Sequence, residues 1–154
     1  MADDTTNEAR GHGQTREPSP ALKRLDRLAG TWELSGDVGG TVTYEWMEGG
    51  FFLIQRVDLG REGSGMEVIG HERTYEAEPS ADIKSRFYSS TGDTLDYVYE
   101  LEGDILTIWF GEKGSPAYYR GEFSGDGNIL AGRLALPRGR RLRGDLDQGR
   151  VANT

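Results

Sequence analysis

From Thr31 to Leu136 apolar residues recur at nearly every second position, and short Gly-, Asp- and Ser-containing turns interrupt the alternation. A period of two marks strands with one buried face and one wetted face. Strands are predicted near 31–38, 41–48, 51–59, 66–74, 83–89, 94–101, 105–110, 116–123 and 129–136. No helical segment lies between them, which argues against parallel βαβ units. What remains is an all-β chain of about nine to ten strands, folded as one antiparallel meander β-barrel or a sandwich.

Before the alternation begins, the period is helical. Leu22, Leu25 and Leu28 share one face of a segment expected to run from Ser19 to Ala29. Ser19 is a suitable N-cap, Pro20 fits the first helical position, and Gly30 suits the C-terminal end. Trp32 follows at once. A short helix stoppering one barrel end, with the first strand pointing a Trp at it, is the expected arrangement. Residues 1–18 are polar, have no apolar face, and are expected to form a disordered arm. The barrel is assigned to 19–136, and 137–154 to an irregular tail.

Two hairpins can be registered from their turns. With Gly49-Gly50 as a two-residue loop, Trp46 meets Leu53, Tyr44 meets Gln55 and Val42 meets Val57. With Gly103-Asp104 as the second such loop, Leu101 meets Leu106, Tyr99 meets Ile108 and Tyr97 meets Phe110. These sets are the more apolar and are assigned to the interior. Beyond them, Ile108 should neighbour Tyr119, Phe123 should lie near Leu130, and Gly121 near Gly132. The interior set is therefore Trp32, Tyr44, Trp46, Gln55, Tyr97, Tyr99 and Tyr119. Phenols and an amide inside an apolar barrel can orient a mostly apolar ligand; equally, they can fill a core and bond to backbone.

Composition narrows the partners. The chain has 154 residues, no Cys, and a formal charge of -8 from 26 acidic and 18 basic residues. Without Cys there is no disulfide framework and no thiolate metal site. A net-acidic surface disfavours nucleic acid. The N-terminal residues lack the apolar core of a secretory signal, and no apolar run is long enough to span a membrane. A cytoplasmic, bacterium-like setting is the expectation by elimination.

Four segments carry a resemblance: Leu28-Ala29-Gly30-Thr31-Trp32, Tyr44 to Leu53, Glu67-Val68-Ile69-Gly70-His71, and Phe123 to Asn128. Together they resemble a bacterial lipocalin-like domain of unknown function, common in actinobacteria. The resemblance covers about 22–136 and implies a calycin-type barrel with an internal cavity; it carries no activity. The family closes with one more strand, whereas residues 138–150 here are strongly basic and read as lacking alternation. Back-translated with chosen Arg codons and shifted by one base, that stretch resembles the missing strand, so the tail is read as a frameshifted closing strand.

Other chemistry-bearing residues fare less well. Pairing Leu59 with Met66 puts His71 outside, with no Ser or Cys nucleophile beside it, and haem ligation through His71 is disfavoured. Arg86-Phe87-Tyr88 resembles the Arg-x-Tyr of carboxylate-binding barrels, but alternation turns Arg86 and Tyr88 outward. Asp93, Asp96, Glu100 and Asp104 match no Ca²⁺ loop and are expected in solvent, so no metal site is assigned. Glu72, on this parity, is either a lone interior acid near a barrel mouth or, preferably, a strand-end surface residue. Gly60 to Gly65 lacks the context of a phosphate loop and should be a hairpin loop at the barrel mouth. Trp109, outward beside Val98, suggests an apolar contact patch, met by a homodimer or covered by the N-terminal helix.

The preferred function is binding a small, mostly apolar or aromatic molecule in the barrel. The rivals are a cavity enzyme of isomerase or cyclase type, acting through shape and Tyr hydroxyls, and an interaction protein with a filled core. No cofactor is called for.

Overall fold

The computed structural model describes residues 16–148. A single α-helical turn, α1 (Pro20–Lys23), runs into a 3-10 turn at Arg24–Leu28. Ten strands follow: β1 (Gly30–Gly36), β2 (Gly40–Trp46), β3 (Leu53–Asp58), β4 (Ser64–His71), β5 (Ile83–Ser89), β6 (Thr94–Glu102), β7 (Ile105–Phe110), β8 (Tyr118–Phe123), β9 (Ile129–Ala135) and β10 (Arg141–Asp147). Each pairs antiparallel with its neighbour, and β10 returns to β1, so the sheet closes into a meander barrel of calycin-like form. Closure leaves no free sheet edge among the described strands. Among the described residues no helix is long and apolar enough to cross a membrane.

The stopper is tighter than an α-helix because of its leucine spacing. Leu22, Leu25 and Leu28 recur every third residue, which is the 3-10 repeat. All three are 1 % exposed and lie in the core cluster with Trp32, Leu53, Ile69, Leu106 and Leu130. Burying each leucine contributes about 1.5–3 kcal/mol. Ser19 caps the first turn, accepting from the Leu22 N–H at 3.0 Å. Arg27 ties the stopper to the β6–β7 hairpin, bonding the Gly103 carbonyl at 3.1 Å and Asp104 at 3.0 Å while its guanidinium lies 4.3 Å from the Phe123 ring centre. Gly30 then enters β1 at φ +131°, and a Cβ there would collide with the Gln148 amide.

The β2–β3 and β6–β7 registers agree with those set by their turns, residue for residue. So do Ile108 with Tyr119, Phe123 with Leu130, and Gly121 with Gly132. Two expectations fail.

The first concerns β4. Met66 pairs with Arg56, three residues before Leu59 (59 − 56 = 3). The cause is the loop: Gly60–Glu62 coils into a 3-10 turn, with the Leu59 N–H bonding the Gly63 carbonyl at 2.8 Å. An odd displacement exchanges the two faces of a strand. Glu67, Ile69 and His71 therefore face inward, and Met66 and Val68 outward. Glu72 is exposed and pairs with Lys84 at 3.7 Å.

The second concerns the tail. Residues 141–147 are the closing strand as they stand, with Leu142, Gly144 and Leu146 inward and Arg141, Arg143 and Asp145 outward. Their alternation is obscured because an inward position holds glycine. The reason is Tyr119, whose ring lies across Gly121, Gly132 and Gly144 and whose hydroxyl donates to the Gly144 carbonyl at 2.8 Å. A Cβ on Gly132 would overlap that hydroxyl. No frameshift is needed to complete the barrel. Most of the predicted N-terminal arm lies outside the described residues, as do residues 149–154 of the tail.

Candidate functional site

The interior divides along the barrel axis. At the stoppered end lie Trp32, Leu53, Ile69, Leu106 and Leu130, each 0–1 % exposed. The end away from the stopper is lined by half-buried Leu34, Val57, Phe87, Tyr97, Phe110 and Tyr119. Between them sits a polar layer that alternation on β4 brings inward.

Its centre is Glu67, a carboxyl 3 % exposed in the middle of the barrel. The register puts it opposite Gln55 on one side and Phe87 on the other. Ser85, buried on β5, donates its hydroxyl to the Glu67 Oε2. Tyr99 hydrogen-bonds Glu67, and Tyr44 hydrogen-bonds Tyr99. Gln55 Nε2 donates to the Tyr44 hydroxyl at 3.1 Å. Among the described residues no buried side-chain polar atom lacks a partner, so the layer meets the requirement for buried polar groups.

Burial raises the Glu67 carboxyl to a pKa of about 7, and the bonds from Ser85 and Tyr99 offset part of that rise. Burial likewise pushes the Tyr44, Tyr97 and Tyr99 phenols up, reinforced by the charge of Glu67. Tyr119 is raised by burial and then by Tyr44 and Asp145. At neutral pH the layer thus holds neutral phenols around one carboxyl poised between its two states. It can offer hydrogen bonds, and it can take up or release one proton.

Of the predicted interior residues, Tyr44, Gln55, Tyr97, Tyr99 and Tyr119 come together in or above this layer. Trp32 and Trp46 do not. The Trp32 indole N–H is held by the Leu28 carbonyl at 2.7 Å, and that of Trp46 by Asp26 at 2.8 Å. Both tryptophans fasten the stopper. His71, expected outside, points inward at the same end, its Nε2 2.7 Å from the Ser19 hydroxyl and its Nδ1 2.8 Å from the Ser80 carbonyl. Arg86 and Tyr88 are outward as expected, and Arg86 is paired with Asp96 at 2.7 Å. Among the described residues no three His, Asp or Glu side chains cluster to hold a metal.

Sequence reading missed Glu67 and Ser85. The signal for Glu67 was parity on β4, which the Gly60–Gly63 turn inverted. For Ser85 the signal was present: alternation that turns Ile83 and Phe87 inward turns Ser85 inward too.

Trp109 is outward as expected but not bare. Its N–H bonds Glu100 at 3.2 Å, and the Arg120 guanidinium lies 5.5 Å from its ring centre. Grooves of about 450–550 Å³ lie on the outer wall, over β7–β10, β4–β6 and β3–β5.

No protein-family profile matches this chain, and no curated protein matches it.

Proposed function

We propose that the protein binds a small, mostly apolar or aromatic molecule at the unstoppered end, as a cytoplasmic bacterial lipocalin-like protein. The observation that carries this reading is the polar layer. A carboxyl, a serine and two phenols are sunk beneath half-buried aromatic rings, where an apolar core would be more stable than a polar one. Phe87, Tyr97 and Phe110 supply apolar contact, and Tyr97 packs edge-on against Phe110 at 4.9 Å between ring centres. Gln55 and Glu67 lie below to meet a hydrogen-bonding group. Rings occupy much of this end, which keeps the ligand small.

Native mass spectrometry of the purified protein, followed by denaturing extraction, tests the reading, with the neutral fluorophore phenylnaphthylamine as an added probe. A copurified small molecule, or probe fluorescence lost in Val57→Trp, is the expected result. A bare chain mass together with no probe response would instead support a filled core.

Glu67 favours a second reading. A carboxyl near neutrality among phenols can act as general base and acid in an isomerisation. Tyr97→Phe and Tyr99→Phe separate the two: turnover falling far more than affinity indicates catalysis, and affinity loss without turnover indicates binding.

A further inference from the structure

We propose that the outer face of β8–β10 is a second binding site, for the phosphoryl group of a small molecule, centred on Arg133.

The register places Arg120 opposite Arg133 and Arg133 opposite Arg143, so three arginines stand in one row across three strands. Adjacent strands lie about 4.8 Å apart, so the row spans about 10 Å. All three side chains are exposed. Like charges directly opposite each other destabilise a sheet, and nothing in a chain of net charge -8 supplies them by default. Their cost is recovered when an anion sits among them.

The surroundings leave room for one. On β9 the same-face neighbours of Arg133 are Ala131 and Ala135, too short to reach or to cover it. They floor a groove of about 550 Å³ walled by Tyr118, Arg120, Arg141 and Arg143. The groove holds four arginines against two carboxylates, Glu122 and Asp145, leaving a local charge of +2 (4 − 2).

Two of the three guanidinium groups are already oriented. Arg120 Nε donates to the Thr107 hydroxyl at 3.1 Å, and its guanidinium lies 4.7 Å from the Tyr118 ring centre. Arg143 Nε is 3.1 Å from Asp145, whose other oxygen accepts the Gly132 N–H at 3.1 Å. Arg133, between them, has no ion pair among the described residues. Its planar fork suits two oxygens of a tetrahedral anion, with Arg120 and Arg143 completing the shell. The acidic remainder of the molecule repels an extended polyanion, so the site suits a single phosphoryl or diphosphoryl group.

The test is a calorimetric titration of the full chain with inorganic pyrophosphate at low salt. Saturable binding is expected, weakened at least tenfold by Arg133→Gln, with Arg133→Lys retaining part of it. Arg56→Gln, an equal charge change on β3, should leave it intact. Absence of binding, or equal weakening by Arg133→Gln and Arg56→Gln, would overturn the proposal. Cosedimentation with phosphatidic acid vesicles identifies the source of the phosphoryl group. Arg133-dependent sedimentation assigns it to a lipid headgroup, and pyrophosphate binding without sedimentation assigns it to a soluble compound.

Discussion

The two ends of the barrel interior are built from the same ten strands and do opposite things. At the stoppered end three inward side chains hold the stopper: the Trp32 and Trp46 indoles bond Leu28 and Asp26, and the His71 Nε2 bonds Ser19. In the layer between that end and the open one, Ser85 and Tyr99 bond Glu67 and Tyr44 bonds Tyr99, joining only strands that the backbone ladder already holds together. Polar groups that fasten an element serve the fold. Buried polar groups that only join strands already held by backbone bonds are retained where something else selects them, and a ligand is the simplest selector.

The largest effect expected from this division is at Trp32. Trp32→Ala removes a fully buried ring and the bond to Leu28, and should cost about 3–5 kcal/mol in urea unfolding. Phe87→Ala, at the half-exposed end, should cost roughly 1–2 kcal/mol. Equal losses would erase the distinction between a structural end and a functional one.

How much of this was legible depended on turn chemistry. Gly49-Gly50 and Gly103-Asp104 fixed two hairpins, and with them Tyr44, Gln55, Tyr97 and Tyr99 as inward residues. The long connection after β3 gave no such anchor. Its 3-10 turn moved the pairing of Met66 by an odd number of residues, and so hid Glu67, the group around which the candidate site is organised. On β10 the pattern Leu142, Gly144, Leu146 was masked by a glycine whose absent side chain makes room for a ring contributed from β8. Local sequence carries the strand period. It does not carry what crosses the barrel to fill a gap.

Glu67 gives the next effect, and it depends on pH. Its ordinary value of 4.5 applies to the unfolded chain, and in the fold it rises to about 7. Between those values the folded state binds the proton more tightly than the unfolded state does. Stability therefore falls as pH rises from about 4.5 to 7 and levels off above, with a full contribution on the order of 3 kcal/mol. Glu67→Gln abolishes this term while keeping an amide to meet Ser85 and Tyr99. The variant should gain on the wild type with rising pH, and the difference in unfolding free energy, measured at several pH values, isolates Glu67 from the surface carboxylates common to both. A pH-independent difference would show that the carboxyl is not the poised group of the layer.

The smallest effect lies at the seam between stopper and barrel. Ser19→Ala removes the cap on α1 and the partner of His71 Nε2 together. A lost cap alone costs about 1 kcal/mol. The same hydroxyl also bridges to β4, so the loss should exceed that of a simple cap and should shrink when His71 is already replaced by Gln. A double-mutant cycle by urea unfolding reads the coupling directly. Zero coupling would mean that His71 does not fasten the stopper, and the polar groups of the two ends would then differ less than their geometry implies.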